Sequence, residues 1–291
     1  MSGSGMRMVP AGCGDLALTS WGDPASAPLL MLHGVARRGD TFTPLLPWLV
    51  PEWRVAAVDH RGHGRSSRAD SYLVRDYAAD AVMVVERQFD RPVVLYGHSL
   101  GALVAVVTAA AIPRRVAAIV LEDPPGPGFL GDLRHSVYHG LFAAYRLLAG
   151  QRRPVVDLAR SLADVELVDP STGTSTRLGA VRDAAALRFL AACLADLDPA
   201  VMTPLVAGDW LTACDLSAAL AAVRCPVLML RADPRAGGML PDADSRLFTG
   251  RLRDLAAVDL PLGTGHTVHG TSPELVIRHL LPFLATIGRP R

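Results

Sequence analysis

Apolar residues in this chain follow two rhythms, and the alternation between them predicts its layout. Short unbroken runs such as Pro28–Leu32 and Val93–Tyr96 have no polar face, which suits strands covered on both sides within a parallel sheet. Between them lie longer stretches whose apolar residues recur every three or four positions, the spacing of a helix with one buried face. Residues 6–22 read as an antiparallel hairpin interrupted by Gly12, Gly14 and Gly22. A strand over 28–32 stops at His33-Gly34, and a helical stretch follows across 41–50. The next strand, 54–59, runs into the loop His60–Ser67. A helix over 74–90 leads to the strand 93–96, and after one more helix a strand over 116–121 closes at Glu122-Asp123-Pro124-Pro125.

This alternation implies right-handed crossovers and a parallel sheet with helices on both faces, so reactive groups should gather at the carboxyl ends of the strands. The rhythm breaks after Asp123. Residues 124–222 contain no convincing strand, only helix-like segments near 132–149, 154–165, 179–195 and 208–222, with loops such as Asp169-Pro170-Ser171-Thr172-Gly173 between them. They are expected to form an inserted helical lid, with 1–123 and 223–291 as the core. Sheet grammar resumes with a strand over 226–231, a helix near 242–251, a strand near 254–259 and a last helix near 273–287.

Composition narrows the partners. Half of the 291 residues are hydrophobic and the formal net charge is +1, so nothing favours nucleic acid or an anionic membrane, and a small molecule is the expected partner. No run reaches the roughly 20 apolar residues of a membrane span. The start, Met1–Met6, lacks the basic and apolar parts of a secretory signal, which points to the cytoplasm. Cys13, Cys193, Cys214 and Cys225 show no metal spacing and read as reduced fillers; no metal or cofactor is expected. All 29 basic residues are arginine, which rules out a Schiff-base or P-loop lysine.

One stretch carries chemistry. In Val93–Val104 a buried strand, a tight turn and a helix present Ser99 between Gly97 and Gly101. A serine hydroxyl is a weak nucleophile unless held bare beside a base and oxyanion donors, and a strand-to-helix elbow does this. A serine that merely caps the helix would not require the two glycines.

Taken in order, His33-Gly34, Asp59–Ser66, Gly97-His98-Ser99-Leu100-Gly101 and Gly265-His266 resemble the α/β-hydrolase superfamily over essentially the whole length. The resemblance implies a mostly parallel eight-stranded sheet with helices on both faces and an inserted helical cap. It implies Ser99 as nucleophile, His266 as base, and the backbone N–H groups of Val35 and Leu100 as the oxyanion hole. His33 resembles the family histidine that braces the oxyanion loop, and the Asp59–Ser66 loop is similar to a structural one. His269 and His98 are read as packing or bonding near the site rather than as the base. Arg37 and Arg38 could meet a substrate carboxylate, although a solvated surface is the preferred reading.

The acid departs from the family pattern. An aspartate usually follows the strand matching 226–231, but that position falls at Arg235 in Arg231-Ala232-Asp233-Pro234-Arg235. Asp123, where some branches of the superfamily place their acid, is preferred, and Asp233 is the alternative. Glu122 should point the other way from Asp123 if the strand continues that far; a solvated strand end is its other reading. The expected function is a cofactor-free serine hydrolase acting with water on a hydrophobic ester or lactone. Phe142, Tyr145, Phe189 and Trp210 of the lid, and His33, are the candidates to face the substrate. Carbon–carbon, amide or thioester hydrolysis on the same groups, or non-catalytic binding, are the alternatives.

Overall fold

A computed structural model describes residues 5–170 and 172–287. Most of the amino-terminal stretch read for a signal, and Ser171 of the 169–173 loop, lie outside them. Ten strands occur in the described residues: β1 Gly5–Ala11, β2 Gly14–Trp21, β3 Ala27–Leu32, β4 Trp53–Val58, β5 Val93–His98, β6 Val116–Glu122, β7 Glu166–Val168, β8 Ser175–Arg177, β9 Val227–Arg231 and β10 Leu255–Asp259. The helices are α1 Leu46–Leu49, α2 Val74–Gln88, α3 Leu100–Ala111, α4 Pro127–Gly131, α5 Val137–Leu148, α6 Val155–Ala163, α7 Leu178–Val181, α8 Ala184–Asp196, α9 Met202–Ala207, α10 Leu216–Ala222, α11 Asp242–Arg251, α12 Val268–Thr271 and α13 Pro273–Thr286.

Eight strands form one sheet in the order β1-β2-β4-β3-β5-β6-β9-β10. β1 and β2 are antiparallel and the other six run parallel, in keeping with the sequence reading. The unbroken apolar runs are buried on both faces because successive side chains enter different cores. Leu30 and Leu32 of β3 and Val93 and Leu95 of β5 join the core under α2 and α3, while Leu29, Met31, Val94 and Tyr96 join the one under α1 and α13. Register aligns the strand ends: Leu32 pairs with Gly97, His98 with Glu122, and Glu122 with Leu230. The loops after β3, β5, β6 and β9 therefore open on one edge of the sheet.

The chain between β6 and β9 departs from expectation in three places. It holds a small hairpin, β7 against β8. Its three-residue strands are mostly exposed and carry too little apolar patterning to announce themselves. The expected helix over 179–195 is two, α7 and α8, because Asp183 turns out of the helix and accepts a hydrogen bond from the Ala186 N–H, capping α8. The expected helix over 208–222 begins only at Leu216. Gly208, in the left-handed region, terminates α9, and Asp215 caps α10. In the core, the stretch 41–50 starts as a 3₁₀ turn over Gly39–Leu45 with Pro44 inside it, and becomes α1 only afterwards. No single helix among the described residues is long and apolar enough to cross a membrane.

Candidate active site

The elbow is shaped by what glycine allows. A Cβ on Gly101 would sit 1.8 Å from the Leu32 carbonyl oxygen, and one on Gly97 would sit 2.2 Å from that of Gly101. The first turn of α3 can press onto the ends of β3 and β5 only without those side chains. Ser99 takes up the resulting strain, at φ 54° and ψ −118°. Its N–H donates to the Glu122 carbonyl at 3.0 Å, fixing the turn to the end of β6.

Asp123 is the first residue past β6 and also has a positive φ, 44°. That turn swings its carboxylate, fully buried, beneath the loop carrying His266. His266 Nδ1–H donates to Asp123 Oδ2 at 2.6 Å. The same carboxylate accepts the N–H of Met239 at 2.8 Å and of Ala232 at 3.2 Å. With Nδ1 protonated, the lone pair of His266 is on Nε2. His266 and Ser99 line one cavity of about 50 Å³. Asp233 does not join them: its carboxylate accepts the N–H groups of Arg235 and Gly263 and pairs with the Arg235 side chain. It caps its own turn.

The loop after β3 approaches the elbow closely. A Cβ on Gly34 would lie 2.7 Å from His98 Nδ1 and 3.1 Å from the Ser99 Cβ. Val35 follows, and its N–H, like that of Leu100 at the start of α3, has no acceptor among the described residues. The loop is held from behind. His33 donates from Nδ1 to the Gly34 carbonyl and accepts the His60 N–H on Nε2. His63 accepts the Ala36 N–H, and Asp59 accepts those of Gly39 and Arg65. These contacts account for the Asp59–Ser66 loop, and they correct one expectation: His33 is fully buried with both ring nitrogens engaged, so it braces the loop and cannot face a substrate. Burial pushes both His33 and His63 down to about 3, and His60 and His98 well down, so all four rings are neutral at neutral pH.

A second histidine–carboxylate pair lies directly behind the first. Glu122, with a solvated strand end as one of its two readings, is fully buried. Its carboxylate accepts the His269 ring and backbone N–H groups at 2.9 Å and the Tyr96 hydroxyl, while His269 Nε2 meets Thr41 Oγ1 at 3.0 Å. Burial opposes its charge, but the His269 ring and the hydrogen bonds from His269 and Tyr96 outweigh it and hold the Glu122 carboxyl near 2. The sequence reading ends the strand one residue early; β6 continues through Glu122 with both faces covered. His98, Glu122 and His269 offer donor atoms within 4.8 Å of one another; hydrogen bonds join Glu122 to His269, while His98 Nδ1 is buried without a hydrogen-bond partner among the described residues. His98 Nε2 donates to the His266 carbonyl at 3.1 Å, tying the two layers together.

Of the lid residues, Phe142 and Tyr145 line the cavity beside Ser99, with Tyr138 and Leu141 from the same helix, α5. Their spacing, 138-141-142-145, is one helical face and was the signal available in the sequence. Phe189 lines a wider groove of about 690 Å³ that continues from the first and shares Arg37, Leu141, Tyr145, Arg182 and Thr267 with it. Trp210 does not reach either. It is buried, and its carbonyl accepts the Val74 N–H, so it anchors α2 to the chain between β6 and β9. Arg37 faces the cavity, whereas Arg38 pairs with Asp40 and Asp196 at the surface. Arg182 also lines the cavity and had no signal in the sequence.

A glycine-flanked serine at the end of the fifth strand, a histidine past the last and an eight-stranded sheet define a hydrolase-type α/β architecture. Residues 27–156 match the α/β hydrolase fold family. Along 274 residues the chain is 30% identical to the 2-(acetamidomethylene)succinate hydrolase of Mesorhizobium japonicum, covering 90% of each chain. The chain belongs to the α/β hydrolase fold family. A crystal structure of E-2-(acetamidomethylene)succinate hydrolase superimposes with a TM-score of 0.75 at 25% identity, over 97% of this chain and 100% of that one. A shorter stretch of 121 residues is 39% identical to a serine hydrolase-like protein of Danio rerio, covering 40% of this chain and 37% of that protein. The chain thus matches well under half the length of that relative.

Proposed function

We propose that this chain is a serine hydrolase that cleaves a carboxylic ester or lactone through an acyl-enzyme. The observation that carries the reading is the 2.6 Å bond from His266 Nδ1 to the buried Asp123, which leaves Nε2 as the lone-pair nitrogen in the cavity that also holds the strained Ser99. Ser99 Oγ attacks the carbonyl carbon as His266 Nε2 takes its proton, and the N–H groups of Val35 and Leu100 receive the oxyanion. Collapse expels the alcohol, protonated by His266; water, activated by the same ring, then releases the acid and frees Ser99. Asp123 keeps the ring in its tautomer and stabilises the imidazolium without taking the proton. No cofactor is needed, since serine and imidazole supply nucleophile and base.

Residues 124–222 serve in this reading as a cap, with α5 forming the wall opposite Ser99. A second reading, amide hydrolysis by the same groups, is supported by the relative matched along 90% of both chains, whose name includes an acetamido group. A fluorophosphonate probe tests the common core: it should label Ser99 in the folded protein and leave Ser99→Ala unlabelled. Unlabelled, folded parent protein would favour a non-catalytic binding role. Parallel turnover of nitrophenyl esters, lactones and anilides then ranks the two chemistries.

A further inference from the structure

The cavity beside Ser99 has two cations and no free anion. Arg37 and Arg182 line both this cavity and the groove that continues from it. Among the described residues neither forms an ion pair. Arg37 donates from Nη1 to its neighbour's carbonyl, Ala36, at 3.1 Å, and shares the cavity wall with Tyr145. The cavity lining itself holds no carboxylate among the described residues, and the two along the groove, Asp40 and Asp183, are engaged. Asp123 and Glu122 serve His266 and His269, Asp40 pairs with Arg38, and Asp183 caps α8. Arg37 is half-buried against apolar walls such as Leu141 and Phe142, while Arg182 is exposed; a planar carboxylate with two acceptor oxygens can engage both guanidinium forks.

We infer that the substrate is an anion, carrying a carboxylate that Arg37 and Arg182 hold while its scissile carbonyl lies at Ser99. The inference rests on the hydrolase reading for the second half of that statement, and on the unpaired arginines for the first. Arg37 and Arg182 line the same small cavity as Ser99, so a spacer of a few bonds between carboxylate and carbonyl is enough to reach both. A short half-ester of a dicarboxylic acid has this form. The site thereby departs from the purely hydrophobic substrate that the lid composition suggests.

Two measurements separate this inference from the reading beneath it. In the first, turnover of mono-4-nitrophenyl succinate is compared with that of 4-nitrophenyl butyrate, which is similar in length and uncharged. The parent should favour the succinyl ester in kcat/KM, and Arg37→Met or Arg182→Met should each reduce the succinyl-to-butyryl ratio by about tenfold or more, the usual loss for a charge-assisted hydrogen bond. Arg37→Lys, which keeps charge without the fork, should fall between. In the second, calorimetric binding of succinate and of uncharged succinamide is measured on Ser99→Ala, where no chemistry occurs. Succinate should bind more tightly, and the advantage should vanish when either arginine is also replaced. Arg182 is on an exposed loop, so its variant carries the test if Arg37→Met does not fold. Equal treatment of the two esters and the two ligands, or a succinate preference indifferent to both arginines, would overturn the inference. Arginine-dependent succinate binding without turnover of any ester would uphold it and overturn the hydrolase reading instead.

Discussion

Neighbouring residues with like side chains perform different tasks here because their backbones turn differently. Glu122 ends β6 and Asp123 breaks from it at a positive φ, so two successive carboxylates both face inward and each takes one histidine. If Asp123 orients His266, Asp123→Asn should lower kcat by about 10⁴-fold with little change in KM, the loss expected when an imidazole is held in the wrong tautomer. Asp233→Asn should stay close to the parent in kcat and lose some stability through its turn. Steady-state kinetics of the two variants, side by side, decide between them. Sequence alone could favour Asp123 from its position after the elbow helix, but not see Met239 and Ala232 bring their N–H groups to it, since both come from a loop whose shape no local pattern encodes. Glu122 was illegible for a different reason: it keeps the alternation of β6 on the side of Val120, but both faces of this strand are covered, so it meets Tyr96 and His269 rather than solvent.

Among the elements, the most constrained is the contact of α3 with β3. Apolar runs and the two glycines made the strand, turn and helix readable, since each expresses a local rule. Gly101→Ala should cost roughly 3 kcal/mol or more, because the obstruction is backbone, the Leu32 carbonyl, and cannot rotate away; urea unfolding measures it. A second link holds the chain between β6 and β9. Asp244 of α11, almost wholly buried, accepts the N–H groups of Gly128 and Phe129 at 2.9 and 2.8 Å at the start of α4. Asp244→Ala should remove about 1–3 kcal/mol. It should also raise amide hydrogen exchange in α4 and α5 while leaving β3 to β6 protected. The chain between β6 and β9 was the least legible part. Its helices are short, end at caps such as Asp183, Gly208 and Asp215, and take their places from contacts distant in sequence.

The whole molecule carries its neutral histidines as an acid-sensitive load. His33 and His63 are held near 3 by burial, against an ordinary value of 6.5, so between those values the unfolded chain binds protons that the folded one refuses. Stability therefore falls as pH drops from about 6.5 towards 3. Glu122, held near 2 against an ordinary 4.5, acts in the same direction: its contribution is complete above 4.5 and is lost as pH falls towards 2. The thermal midpoint should decline steadily over pH 6.5–3. A His63→Gln variant, which keeps a neutral side chain with polar atoms, should show a shallower slope.

The position of the carboxylate at the end of β6 also bears on how such a chain can change over time. Ser99, Leu100 and Asp123 come from one uninterrupted strand-turn-helix-strand segment, and the long run of helices between β6 and β9 begins only after it. Recombination or drift that exchanges, shortens or lengthens everything between Pro124 and Val223 leaves the spacing of those three groups untouched. In the proposed function the wall over Ser99 is thus joined to the rest of the chain at two points, after Asp123 and before Val223, and a change within it alters the sequence distance to His266 while leaving Ser99, Leu100 and Asp123 as they are.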